Sequence, residues 1–261
     1  MNKIFSAGRL LQYRLLSGSP NSVHSPFVFE LYNTVIRDKT PFYFHLDVES
    51  LRSKMLLDNT VIDVRDFGTG GKKNSRRKLS VRYIASHFVQ GKKYGALLSR
   101  LVNHFKPRGI LELGTSLGIT TLYMALPDKN AKLITLEGCP ETANLAAKNF
   151  SRLGASNIEL RVGEFGSTLE EACRDLKQLD FVLFDGNHRY ESTMKYFHTC
   201  LNYVDEESVF VFDDIYWSPQ MEKAWKEIKA NEKISVSIDL YHMGLVFFRK
   251  GIPKQDFVLK F

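Results

Sequence analysis

From Gly109 onward the chain repeats one pattern: a short apolar run, a turn, then an amphipathic stretch. "GILEL" (109–113), "KLITLEG" (132–138), "NIELRVG" (157–163), "LDFVLFDG" (179–186) and "SVFVFDD" (208–214) read as five strands. Helical patterns separate them. One begins at "TTLYMALP" and stops at Pro127; another starts at Pro140 and ends at Gly154. A third has a Ser-x-x-Glu start in "STLEEACRDLK", and two more run through "YESTMKYFHTCLNYV" and "SPQMEKAWKEIKAN". Five strands that alternate with helices build a mostly parallel sheet covered on both faces. Two further strands, "ISVSIDL" (234–240) and "GLVFFRK" (244–250), are joined by "YHM" alone, so they must be antiparallel. The expectation is an α/β fold with a seven-stranded, Rossmann-like sheet.

Residues 1–107 are less regular. "NSVHSPFVFELYNTVI" and "VESLRSKMLLDN" look helical, "DFGTGGKKNSRRK" (66–78) reads as a mobile basic loop, and "YGALLSRLVNHF" (94–105) is an amphipathic helix leading into the first strand. The expected division is a basic helical extension over 1–93 and a ligand-binding domain over 94–261. Charge divides in the same direction. Residues 1–110 carry 19 Lys/Arg against 7 Asp/Glu, whereas 111–261 carry 17 against 22. A basic arm keeps a polyanionic partner in view, with a solvated loop or a lid as its other readings.

The three cysteines lack any paired spacing, which suits a reducing compartment. Lys3, Arg9 and Arg14 interrupt the N-terminal apolar residues, and no run of about 18 apolar residues occurs, so a cytoplasmic protein with no membrane span is expected.

In such a sheet ligands sit outside the C-terminal strand ends. The first turn reads Glu112-Leu-Gly114-Thr115-Ser116-Leu-Gly118, without the G-x-G-x-x-G spacing of dinucleotide sites. Glu137 ends the second strand, 23 residues after Gly114, where an acid accepts ribose hydroxyls. A carboxylate at Glu112 beneath the turn disfavours a pyrophosphate and suits a positively charged cofactor.

Glu-x-Gly-x-x-x-Gly followed by an acid at the second strand end resembles the class I S-adenosylmethionine-dependent methyltransferases. The nearer likeness is to their O-methyltransferase branch, typified by catechol O-methyltransferase, where a small hydroxyl residue follows the turn, here Thr120. "DGNHRYE" (185–191) is similar to the Asp-Gly-x-His-x-Tyr signature of a related methyltransferase group, and "HSPFVFELY" resembles the N-terminal segment of a bacterial subset of it. The resemblance implies that Gly114, Thr115 and Ser116 pack on the methionine part of S-adenosylmethionine. It implies that Glu137, with Gly138 beside it, holds the ribose and that Gly163 and Glu164 line the adenine, Glu164 being equally a solvated loop acid. Glu112 acts on the cofactor directly or by orienting the turn.

Methyl transfer needs alignment and a deprotonated acceptor. Asp185 ends the fourth strand and Asp213 and Asp214 the fifth, so three carboxylates meet at one rim. Their repulsion is relieved by protonation or by a cation, and oxygen ligands suit Mg²⁺ or another divalent ion. The catechol enzyme has Asp and then Asp-Asn at these positions, so the Asp-Asp here is a departure that adds charge. Asp214 as a plain helix cap is the competing reading. Asp185 is also counted among the cofactor contacts. His188, where the catechol enzyme has its catalytic lysine, is a general base or a metal ligand. Tyr190, Tyr216 and Trp217 flank the strand ends as acceptor walls or as packing, and His24 is a cap, a packing group or a site residue.

The activity expected is O-methylation of a small hydroxylated acceptor with cation assistance, in a chain able to form a homodimer. The alternatives are a methyltransferase directed at RNA or another polyanion, a non-catalytic cofactor-binding protein and a nicotinamide dehydrogenase. Nucleic acid is not the favoured partner: no Asp-Pro-Pro-Tyr-type amino-methylation motif follows the fourth strand, where "DGNH" stands.

Overall fold

A computed structural model describes residues 3–18, 23–66 and 75–261, and the chain divides into two compact units. The first joins Met1–Asp38 to Lys177–Phe261, and the second is Lys39–Leu176. The first unit opens with α1 (Lys3–Leu16) and α2 (Pro26–Leu31), which continues into a π-helical turn at Tyr32–Ile36. Ser25, whose Oγ accepts from Val28 N–H at 3.5 Å, caps α2, and His24 beside it is exposed.

The second unit contains α3 (His45–Met55), β1 (Val61–Asp66), β2 (Ser75–Ser80), α4 (Val81–His87) and α5 (Lys92–Phe105). It continues through β3 (Gly109–Leu113), α6 (Ile119–Ala125), β4 (Lys132–Glu137), α7 (Pro140–Arg152), β5 (Ile158–Val162) and α8 (Phe165–Leu176). β4 pairs in parallel with both β3 and β5. All five residues of β3 are buried, including Glu112. α7 begins where Pro140 supplies a helix-ready φ and removes an unpaired N–H.

The first unit resumes with β6 (Phe181–Phe184), α9 (Tyr190–Cys200), β7 (Val209–Asp213), α10 (Pro219–Ala230), β8 (Val236–Asp239), β9 (Met243–Phe247) and β10 (Gln255–Val258). β6 and β7 are parallel, β9 is antiparallel to both β7 and β8, and β10 adds in parallel to β8. Gly244 in β9 is required by close approach, since a Cβ there meets the Trp225 ring at 2.6 Å.

The seven strands expected from the sequence are β3 to β9, and the closing pair is antiparallel as its short link demands. Two features differ from expectation. β10 is an eighth strand. The basic stretch 66–78 is not all loop, because Asp66 and Ser75–Lys78 belong to a β1–β2 hairpin, while residues 67–74 lie outside the described residues. Val61, Asp63 and Arg65 are exposed while Ile62 and Val64 are partly covered, the alternation of a half-buried strand. Among the described residues no helix is long and apolar enough to cross a membrane.

Candidate active site

The turn after β3 is shaped by three left-handed residues: Gly114 (φ 110°), Ser116 (φ 49°) and Gly118 (φ 80°). Gly118 has no alternative. Its φ disfavours any side chain, and a Cβ would lie 2.5 Å from the Phe150 ring. Gly118→Ala is expected to cost ~2–4 kcal/mol of stability from strain and overpacking, read from denaturant unfolding; an unchanged midpoint contradicts this.

The backbone N–H groups of this turn point inward. Those of Gly114 and Thr115 donate to the Leu136 carbonyl at 3.0 and 3.2 Å, and that of Gly118 donates to the Thr115 carbonyl at 2.8 Å. Ser116 N–H donates to Glu137 Oε2 at 2.7 Å, which holds a non-glycine residue in its left-handed conformation. Glu137 Oε1 accepts from Cys139 N–H at 2.8 Å. Burial pushes the Glu137 carboxyl up, and these amides pull it back. The Asn149 side-chain amide closes the turn on the Leu117 carbonyl at 3.0 Å. A phosphate-binding turn leaves such N–H groups free to face the anion. This turn does not.

Beneath it lies Glu112. Its Oε2 accepts from Thr121 Oγ1 at 2.5 Å and Thr135 Oγ1 at 2.6 Å, and Thr135 in turn meets Thr115 Oγ1 at 2.5 Å. Its Oε1 has no hydrogen-bond partner. Burial pushes the carboxyl up to about 7, the two hydroxyls oppose the shift, and the negative charge of Glu137 adds to it. Folded, the group keeps its proton to about pH 7; unfolded, it loses it near 4.5. Between those values the folded state binds more protons, so stability falls as pH rises through the window, by ~3 kcal/mol, and stays lower above it. Glu112→Gln is expected to flatten that loss when denaturant midpoints are compared at about pH 5 and about pH 8. An unaltered slope contradicts the assignment.

The remaining cofactor candidates surround these groups. Thr120 is buried in the first turn of α6, and Gly138 is half-buried between Glu137 and Cys139. Gly163 N–H donates to the Glu137 carbonyl at 2.9 Å, and a Cβ at Gly163 would meet Thr168 at 2.9 Å. Glu164 is exposed, and its carbonyl accepts from Ser167 and Thr168 N–H at the start of α8.

In the other unit, β6 delivers Asp185 and β7 delivers Asp213, which is buried, and Asp214, whose φ is 53°. Asp185 Oδ1 lies 3.9 Å from His188 Nε2, and Asp214 Oδ1 lies 3.8 Å from His242 Nδ1. Burial lowers the pKa of the half-buried His188, and the negative charge of Asp214 partly restores it. The Trp217 ring centre is 6.2 Å from that of His188. The other two aromatic candidates are engaged elsewhere. Tyr216 donates to Asp239 Oδ2 at 2.5 Å, and Tyr190 donates to Glu227 while Lys223 sits over its ring.

Residues 111–215 match a family model described as a methyltransferase domain. Over these residues the chain is similar to a methyltransferase domain. A curated relative, catechol O-methyltransferase of Niastella koreensis, is 44% identical over 73 residues, which are 27% of this chain and 33% of the relative. The chain thus spans about a third of the curated relative it matches.

Solved structures share the fold. The O-methyltransferase from Bacillus cereus in complex with SAH aligns with a TM-score of 0.57 and 16% identity over 83% of this chain and 94% of that one. TomG, an O-methyltransferase from Streptomyces achromogenes in complex with SAM, aligns at 0.54 and 19% identity over 62% of this chain and 82% of that one. The resemblance drawn from "ELGTSLG" and "DGNHRYE" is borne out, and so is the class I fold.

Every candidate residue from Glu112 to Asp214 falls inside the matched residues 111–215. Asp185, Asp213 and Asp214 were expected to share a divalent cation. Among the described residues no group of three or more His, Cys, Asp and Glu is arranged to hold a metal ion. Asp185 Oδ1 stands beside His188 and Asp214 Oδ1 beside His242, while the negative charge of Asp214 also acts on His188. His242, in the link between β8 and β9, was not singled out by sequence. Its only signal was its place in a three-residue connection at a strand end. Thr121, Thr135 and Asn149 were also missed, although a glutamate in the middle of an apolar strand requires donors from its neighbours.

Proposed function

We propose that this chain is an S-adenosylmethionine-dependent O-methyltransferase acting on a hydroxyl of a small-molecule acceptor. The observation that carries the reading is the turn after β3: its N–H groups are directed inward and a buried carboxyl lies beneath it, which suits a cation. When bound, the cofactor supplies a methyl group on a sulfonium, open to in-line displacement. The chain must hold the ligand, align the acceptor and take a proton.

In this reading Gly114, Thr115 and Ser116 pack on the methionine part, with Thr120 behind them. Glu137 and Gly138 hold the ribose, and Gly163 and Glu164 line the adenine. Residues 1–93 form a basic extension to this domain. His188 is neutral near pH 7 because burial lowers its pKa. It takes the hydroxyl proton as the acceptor oxygen forms a bond to the methyl carbon, while the carbon–sulfur bond breaks and its electron pair stays on sulfur. Asp185 steadies the resulting imidazolium, and the proton then passes to solvent.

Divalent-cation assistance is the finer alternative, and it asks Asp185, Asp213 and Asp214 to gather around an ion. Transfer of labelled methyl groups to a panel of hydroxylated aromatics, catechols first because of the curated relative, tests both versions in Mg²⁺ and in EDTA. A labelled methyl ether formed equally in both conditions is expected. Loss of turnover in EDTA moves acceptor activation to the carboxylates. Cofactor binding with no transfer to any acceptor overturns the catalytic reading.

A further inference from the structure

We propose that Glu112 is a positioning residue that distinguishes the charged cofactor from its neutral product by exchanging one proton with solvent. This rests on the reading that the turn holds S-adenosylmethionine. The geometry is asymmetric. Oε2 accepts from both Thr121 and Thr135, whereas Oε1 is buried without a partner. A carboxylate with one bare oxygen in the interior is costly, and a proton on Oε1 lowers that cost by replacing a buried charge with a neutral hydroxyl.

The environment supplies no compensating charge. Thr121 from α6 and Thr135 from β4 are polar but uncharged, and α8 packs against β3 with Leu169, Ala172 and Cys173 as its buried residues. Glu137 at the end of β4 has the same sign as Glu112. Among the described residues Glu112 forms no ion pair. Burial accordingly pushes Glu112 up to about 7, so near pH 7 about half of the molecules carry the proton.

A sulfonium brought to the turn favours the ionised form, and Glu112 then releases its proton to solvent. Once the methyl group has left, the thioether is neutral and the carboxylate regains a proton. Thr135 joins this charge to Thr115 in the turn, so the proton state of Glu112 is felt where the ligand packs. The ligand that must leave after turnover is thus the one for which the site is not charged.

Calorimetric titration of S-adenosylmethionine and S-adenosylhomocysteine at about pH 7, in PIPES and in Tris, reads the protons released from the dependence on buffer ionisation enthalpy. Glu112→Gln is titrated in parallel and subtracts any proton gained or lost by the ligand itself. Relative to the variant, the unaltered chain is expected to release about half a proton more with S-adenosylmethionine and no more with S-adenosylhomocysteine. Equal proton counts in both proteins overturn the proposal. If the variant does not fold, the preference of the unaltered chain for S-adenosylmethionine is followed instead. That preference is expected to rise about tenfold from about pH 6 to about pH 8, and a flat profile overturns the proposal. If neither ligand binds, the reading of the turn fails and takes this inference with it; binding without a linked proton defeats the inference alone.

Discussion

His188→Ala is expected to lower turnover by about 10²–10⁴-fold while leaving S-adenosylhomocysteine affinity unchanged. His188 follows Asp185 by three residues, is half-buried and lies within 3.9 Å of that carboxylate. A neutral imidazole in that position accepts a proton, and the carboxylates of Asp185 and Asp214 stabilise the cation it becomes. In the proposed reading, removing the ring removes the proton acceptor, while Glu137 and Asn149 keep their hydrogen bonds to the turn after β3. The effect should therefore fall on kcat. Steady-state kinetics with the best acceptor, paired with calorimetry, checks this. A variant that turns over at the original rate shows that another group takes the proton.

Glu137→Ala is expected to have the opposite profile. Its two carboxylate oxygens accept from the N–H groups of Ser116 and Cys139, so the side chain holds both the turn and the start of α7. Without it Ser116 keeps a left-handed backbone with its amide unpaired. Losing two charge-assisted hydrogen bonds costs ~2–4 kcal/mol of stability. Cofactor affinity should fall by about 100-fold or more, because the proposed ribose acceptor and the shape of the turn go together. Glu137→Gln, which keeps one acceptor oxygen, should lie between. Denaturant unfolding and calorimetry measure the two effects separately. Unchanged affinity for S-adenosylhomocysteine in the alanine variant would remove Glu137 from the cofactor site.

Most strands from β3 to β9 were legible in the sequence because strands buried on both faces are largely apolar, as "FVLF" is, whereas the part-buried β5, with Glu159 and Arg161, was legible from its place in the strand–helix alternation. The antiparallel closing pair was legible from the length of its link alone. β10 was not, since it is four residues long, opens with two polar residues and has no fully buried side chain. The β1–β2 hairpin escaped for a related reason. Its strands are exposed on one face and rich in charge, and they place Arg65 directly opposite Arg76, a like-charge pair that no strand preference suggests.

At the candidate site, the turn and the acids at the strand ends were legible because topology puts them there. Their partners were not. Spacing alone does not say that Thr121, nine residues on, and Thr135, on the next strand, share one carboxyl oxygen. Nor does it say that Asp214 takes a left-handed backbone and comes within 3.8 Å of His242.

The turn "ELGTSLG" is proposed to hold a sulfonium-bearing adenosyl cofactor and not a pyrophosphate. Calorimetric titration of the full chain with S-adenosylhomocysteine, alongside NAD under the same conditions, tests it most directly. Saturable binding of S-adenosylhomocysteine with no heat from NAD is the expected result. Binding of NAD, or of neither ligand, would contradict the account at its first step.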